Sequence, residues 1–142
     1  SESKLMHVLR VNTLLPLLFL KELVALVKGE KRCVISVLSA RVGSIEDNRL
    51  GGWYSYRASK AALNMLVKTA AIEYERRAKN VRFLLFHPGT VDTNLSKPFQ
   101  SKSSTKLMQP SEVAMSLIQL MDRSDTDSNI EFIDGEGKKI NW

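Results

Sequence analysis

Two apolar runs, separated by a long helical stretch, constrain this chain more than any other feature. "RCVISVLS" (residues 32–39) and "NVRFLLFHPG" (residues 80–89) are rich in β-branched and aromatic residues, with few charges inside them. Such runs suit strands covered on both faces, which is how parallel sheets are buried. The connection between them is far too long for a hairpin, so the strands must run parallel with a crossover helix.

The flanking segments fit that plan. Residues 2–28 place apolar side chains at helical spacing and predict one long helix, bent near Pro16, with Gly29 as its C′ residue. Residues 54–79 predict a second long helix. Its middle, "ASKAALNMLVKTAAIEY", is apolar or small around much of its circumference. A helix of that kind asks for more than one covering surface, the sheet and a partner subunit. Pro110 opens a third helix, "PSEVAMSLIQLMDR", and "NIEFIDGEGKKINW" predicts a last short strand and a tail. Residues 92–109 are polar and rich in Ser and Lys and read as a loop. With no repeats and no linker, residues 1–142 form a single α/β domain with three parallel strands.

Composition excludes more than it proposes. Apolar residues make up 44% and charged residues 25% of 142 positions, as in an ordinary globular protein. The net charge of +6 is spread along the chain, and no nucleic-acid motif accompanies it, so no nucleic acid is expected as a partner. The longest apolar stretch, "TLLPLLFL", is too short to span a bilayer. The single cysteine, Cys33, cannot form an intrachain disulfide, which suits a reducing, cytoplasmic compartment. No cluster suggests a metal site.

Ligands of parallel sheets bind beyond the carboxyl ends of the strands. That rule singles out the loop after "VISVLS", the segment "HPGTVDT" and the start of the second long helix between them. There, "YSYRASKAALN" puts Tyr56 and Lys60 four residues apart, on one helical face. An ammonium beside a phenol favours the phenolate, and a phenol made more acidic is a usable acid–base group at neutral pH. Some Tyr–Lys pair at this offset arises by chance about one time in four in such a composition, so the pair needs its context. Ser39 supplies a hydroxyl at a strand end. Pro16, having no N–H, deprives the Asn12 carbonyl of its helical donor and leaves it able to hold a water near Lys60.

These segments together resemble the C-terminal part of a short-chain dehydrogenase/reductase, closest to C-factor-like and sniffer-like carbonyl reductases. The resemblance is carried by "SARVGSI", "GGWYSYRASKAALN", "HPGTVDTNLSKPF" and the ending "DGEGKKINW". It implies a doubly wound, Rossmann-like sheet and interconversion of a carbonyl and an alcohol with NADP or NAD. Tyr56 would be the acid–base. Lys60 would tune it and bind the nicotinamide ribose. Asn12 would hold a relay water through its main chain, and Ser39 would bind the substrate oxygen. Pro88, Gly89, Val91 and Thr93, with Tyr56 and Lys60, would contact the cofactor. The family reads Ser-Ser-x-x-Gly where this chain reads "SARVG", which puts Ala40 at the usual serine position and leaves Ser44 as an alternative to Ser39. The glycine-rich phosphate loop has no counterpart here, and at roughly 30 residues per βα unit about 90 residues would precede residue 1.

That absence predicts an inactive isolated fragment with an exposed edge at "VISVLS", stable only with its missing half or in an oligomer. The resemblance implies homo-oligomers through residues 2–28 and 54–79. A second reading makes the chain a non-enzymatic signalling or protein-interaction module. Residues 94–109 would cover a small-molecule substrate, with Lys97, Lys102 and Lys106 making that cover basic.

Overall fold

The computed structural model describes residues 1–97, 107–123 and 128–142, so Lys102 and Lys106 lie outside the described residues. Three strands, β1 (Cys33–Leu38), β2 (Val81–His87) and β3 (Ile130–Asp134), form one sheet in the order β1-β2-β3, and both pairings are parallel. Helices α2 (Leu15–Val27) and α3 (Tyr54–Arg77) cover one face, with α1 (Glu2–Leu9) lying against α3, and α4 (Pro110–Arg123) covers the other. The alternation of β2 builds both layers. Val81, Phe83 and Leu85 pack against α2 and α3, while Leu84 and Phe86 pack beneath α4.

Full burial holds for β2, where Phe83 to Phe86 are all buried, but not for β1. Cys33 to Val37 are half-buried and Leu38 is 58% exposed, because β1 is an edge strand with a neighbour on one side only. An apolar run makes a strand; its place in the sheet decides how much is covered.

The first arm is continuous but not uniform. Between α1 and α2 lies a π-helical segment, Arg10–Leu14, which carries Asn12 and ends just before Pro16. The Leu15 N–H reaches back to the Arg10 carbonyl, one residue further than in an α-helix. A missing N–H at Pro16 is thus absorbed by widening the preceding turn. Gly29 stands at C′, as expected, but without a positive φ. Lys28 leaves the helix in an extended conformation, and Asn80 closes the end instead. Its Oδ1 accepts from the Gly29 N–H at 3.1 Å, and its Nδ2 donates to the Val27 and Lys31 carbonyls at 2.8 Å each.

Candidate active site

The carboxyl end of β1, a tight turn after it and the first turns of α3 meet at one end of the sheet. Trp53 caps α3 with φ 48°, the only left-handed non-glycine among the described residues. Arg57 holds that conformation. Its Nε donates to the Gly51 and Gly52 carbonyls at 3.2 and 3.1 Å, and its guanidinium lies 5.6 Å from the Trp53 ring centre. A strained residue clamped this way sets where the helix starts, and so where Tyr56 stands.

Two further ties fix the same turn. The Ser59 hydroxyl donates to the Tyr56 carbonyl at 2.8 Å and accepts from Asn12 Nδ2 at 3.1 Å. The Thr13 hydroxyl donates to the Ser59 carbonyl at 3.0 Å. Asn12 is therefore beside the start of α3, as expected, through a side-chain contact that the sequence did not suggest. On the opposite side, Gly43 in the 3-10 turn Arg41–Gly43 lies against Lys60 so closely that a Cβ there would sit 2.8 Å from Lys60 Cβ and its carbonyl carbon.

Tyr56 is 39% exposed, and Lys60 is half-buried. The two share one face of α3, with the ammonium 5.9 Å from the phenol ring centre. Lys60 Nζ does not turn to the phenol; it donates to the Leu38 carbonyl at 2.9 Å, the last residue of β1. The electrostatic expectation for Tyr56 is accordingly reversed. Burial pushes its phenol above the ordinary value of 10, and burial likewise pulls Lys60 below 10.5. At this separation the loss of solvent outweighs the attraction to the ammonium.

Both serine candidates are buried. The Ser39 hydroxyl donates to Asn64 Oδ1 at 2.5 Å. The Ser44 hydroxyl accepts from the Asp47 N–H at 3.1 Å and lies 3.4 Å from the Trp142 carbonyl. Asn64 was not singled out from the sequence, although it stands one helical turn after Lys60 in "KAALN", a spacing that carries the signal.

Beyond β2, Gly89 adopts φ 76° and is exposed, and the nearest atom to a Cβ there is Met108 Sδ at 3.9 Å. Val91 forms a parallel bridge with Met108, and the Asp92 and Met108 N–H groups bond across to the Met108 and Thr90 carbonyls. Thr93 is exposed and opens a turn in which its N–H approaches the Ser96 hydroxyl at 3.3 Å. Pro88, Gly89, Val91 and Thr93 thus lie on a stiffened segment at the same end of the sheet as Tyr56 and Lys60.

No candidate metal cluster of His, Cys, Asp or Glu occurs among the described residues, and no described helix is long and apolar enough to cross a membrane.

A model of the short chain dehydrogenase family matches residues 1–104. The chain is 34% identical over 135 residues to the 1-hydroxy-2-glutathionyl-2-methyl-3-butene dehydrogenase of Rhodococcus sp. (strain AD45), covering 94% of this chain and 57% of that protein. It is 33% identical over 115 residues to C-signal of Myxococcus xanthus, covering 81% of this chain and 64% of that one. Among solved structures, a short-chain dehydrogenase/reductase from Burkholderia multivorans with bound NADP superposes with a TM-score of 0.83 at 26% identity, over 100% of this chain and 57% of that one. The chain therefore spans a little over half the length of these relatives.

Proposed function

The chain belongs to the short-chain dehydrogenase family, and from that premise we propose that it is the acid–base half of an oxidoreductase that interconverts a carbonyl and an alcohol with NADP or NAD. The observation that carries this reading is the Lys60–Leu38 bond. It locks the Tyr56 face of α3 to the carboxyl end of β1, where sheets of this kind receive ligands.

Tyr56 is the proton donor. A neutral phenol can protonate a developing alkoxide, a far stronger base, even though burial here makes Tyr56 a weaker acid than the spacing of Lys60 suggested. Tyr56 is 39% exposed, which leaves part of it open to a ligand, while Arg57 and Ser59 hold the turn beneath it. Lys60 carries further N–H donors beyond the one given to Leu38, and these suit ribose hydroxyls. The bare, exposed backbone at Gly89 suits a planar ring laid against the Pro88–Thr93 segment. These residues fit the nicotinamide end of NADP or NAD, which when bound supplies the hydride that reaches the substrate carbon. The Burkholderia relative with bound NADP supports that assignment. Nothing in these 142 residues resembles a glycine-rich turn between strand and helix, so no residue is assigned to the phosphates.

Asn12 stands at the start of α3 with Pro16 offering its carbonyl no N–H, which supports a water held there and leading away from Lys60. Ser39, on the α3 face one residue beyond Leu38, is the better hydroxyl for the substrate oxygen. Ser44 is already placed between two main-chain groups. Exposed Leu14, Leu15, Leu18 and Phe19 on the first arm, and Met65 and Ile72 on α3, support self-association through residues 2–28 and 54–79. The free Cys33 supports a reducing, cytoplasmic setting.

The test is turnover of a panel of small ketones and aldehydes by the full-length protein with NADPH or NADH. Consumption of cofactor that depends on the carbonyl substrate is expected; tight cofactor binding without any turnover would count against the reading.

A further inference from the structure

A buried amide next to the candidate serine is only half satisfied. Asn64 is 4% exposed, its Oδ1 accepts the Ser39 proton at 2.5 Å, and its Nδ2 has no hydrogen-bond partner. Leaving such a donor unmade costs about 1–3 kcal/mol, so a buried orphan of this kind calls for a reason. Ser39 is itself 4% exposed and its main-chain N–H is already bonded to the Phe86 carbonyl at 2.8 Å. A serine hydroxyl has a single proton. While that proton is given to Asn64 Oδ1, Ser39 has none to offer a substrate oxygen.

We propose that Asn64 is the positioning residue of Ser39, and that turning its amide over decides whether the Ser39 proton is held inside the protein or offered to the substrate. With the amide turned, Nδ2 donates to the Ser39 oxygen, Oδ1 takes the unpartnered place that Nδ2 left, and the hydroxyl proton is released for the substrate oxygen. An orphan group thus remains in either orientation, so the two can be close in energy. The geometry suits the task. Lys60 and Asn64 stand one turn apart on α3 and grip consecutive residues of the same strand end, Leu38 through its carbonyl and Ser39 through its hydroxyl. One helical face therefore sets both the ammonium and the serine against β1. The inference rests on the reading above that Ser39 meets the substrate oxygen.

Asn64→Asp separates the alternatives, because a carboxylate accepts only, whereas a protonated carboxyl can also donate. The other titratable or charged groups at this end, among the described residues, include Tyr56, Arg57 and Lys60 on α3, His87 on β2, Arg41 on the turn after β1 with its partner Asp47, and Asp134 on β3; the first arm contributes Asn12 and Thr13, which do not titrate. Their effect is removed by recording the same pH profile for the unaltered protein.

In the full-length enzyme with cofactor bound, Asn64→Asp is expected to lower kcat at neutral pH by about as much as Ser39→Ala, ~10²-fold for one lost oxyanion donor, with KM little changed. Its activity relative to the unaltered enzyme should rise as pH falls and the new carboxyl takes up a proton. Combining Asn64→Asp with Ser39→Ala should add less than about twofold and abolish the pH-dependent rise, as expected of coupled neighbours. Additive losses, or an Asn64→Asp profile parallel to that of the unaltered enzyme, would overturn the proposal. Tyr56→Phe serves as the separate control. If it leaves turnover intact, the acid–base reading itself fails; if it abolishes turnover while the Asn64 and Ser39 effects add, only the Asn64 inference fails.

Discussion

Charge at single residues is set here more by burial than by pairing. His87 shows it clearly. It ends β2 with Nδ1 buried and without a hydrogen-bond partner, and burial, reinforced by the nearby Arg41 guanidinium, holds its imidazole below 6.5 against the pull of Asp134. Its folded-state proton affinity is the lower one, so as pH falls below about 6.5 the unfolded chain takes the proton first. Stability contributed by the neutral ring is thus present above that pH and lost below it. A thermal midpoint that declines on acidification, and declines less in His87→Gln, is the expected outcome. The same dominance of burial explains why the spacing of Tyr56 and Lys60 was legible in the sequence while the direction of the Tyr56 shift was not. Spacing is local, whereas desolvation depends on what covers the ring.

Elements position the site through a few close approaches. Gly43 is the tightest: the 3-10 turn after β1 touches α3 at Lys60 with no space for a side chain. Gly43→Ala should force turn and helix apart, costing about 1–3 kcal/mol of stability as overpacking does. Because Lys60 would move with the helix, turnover should fall more than stability alone explains, which chemical denaturation and kinetics on the same sample would separate. The helices and strands were readable from periodicity and apolar runs within a residue or two, since those signals are local. Their closures were not. Asn80 ends α2 across about fifty residues of sequence, and Asn64 reaches Ser39 across 25. The π-helical widening before Pro16 lies between these cases, since the proline announced a disturbance but not the form it would take.

At the scale of the molecule, the sheet is lopsided. β2 is sealed on both faces, whereas β1 presents one unpaired edge, with Leu38 exposed at its end. Such an edge is a template for another strand. The 142-residue chain expressed alone is expected to self-associate at micromolar concentration, seen as light scattering that grows with concentration. Amides of β1 that point away from β2 should exchange with solvent much faster than those of β2. A monodisperse monomer with β1 fully protected would contradict this. The sequence revealed the parallel arrangement, because it follows from strands alternating with long helices, but it read β1 as covered on both faces, which the sheet order does not bear out. It could not reveal which exposed apolar faces are covered in the working protein.

The central claim is that Tyr56 hands a proton to substrate oxygen at the carboxyl end of this sheet. It is tested most directly by Tyr56→Phe in the full-length protein, with carbonyl reduction and NADPH binding measured side by side. Loss of the phenolic proton donor should reduce turnover by ~10²- to 10⁴-fold while cofactor affinity and folding persist. Turnover that survives within a few-fold of the unaltered protein would contradict the account.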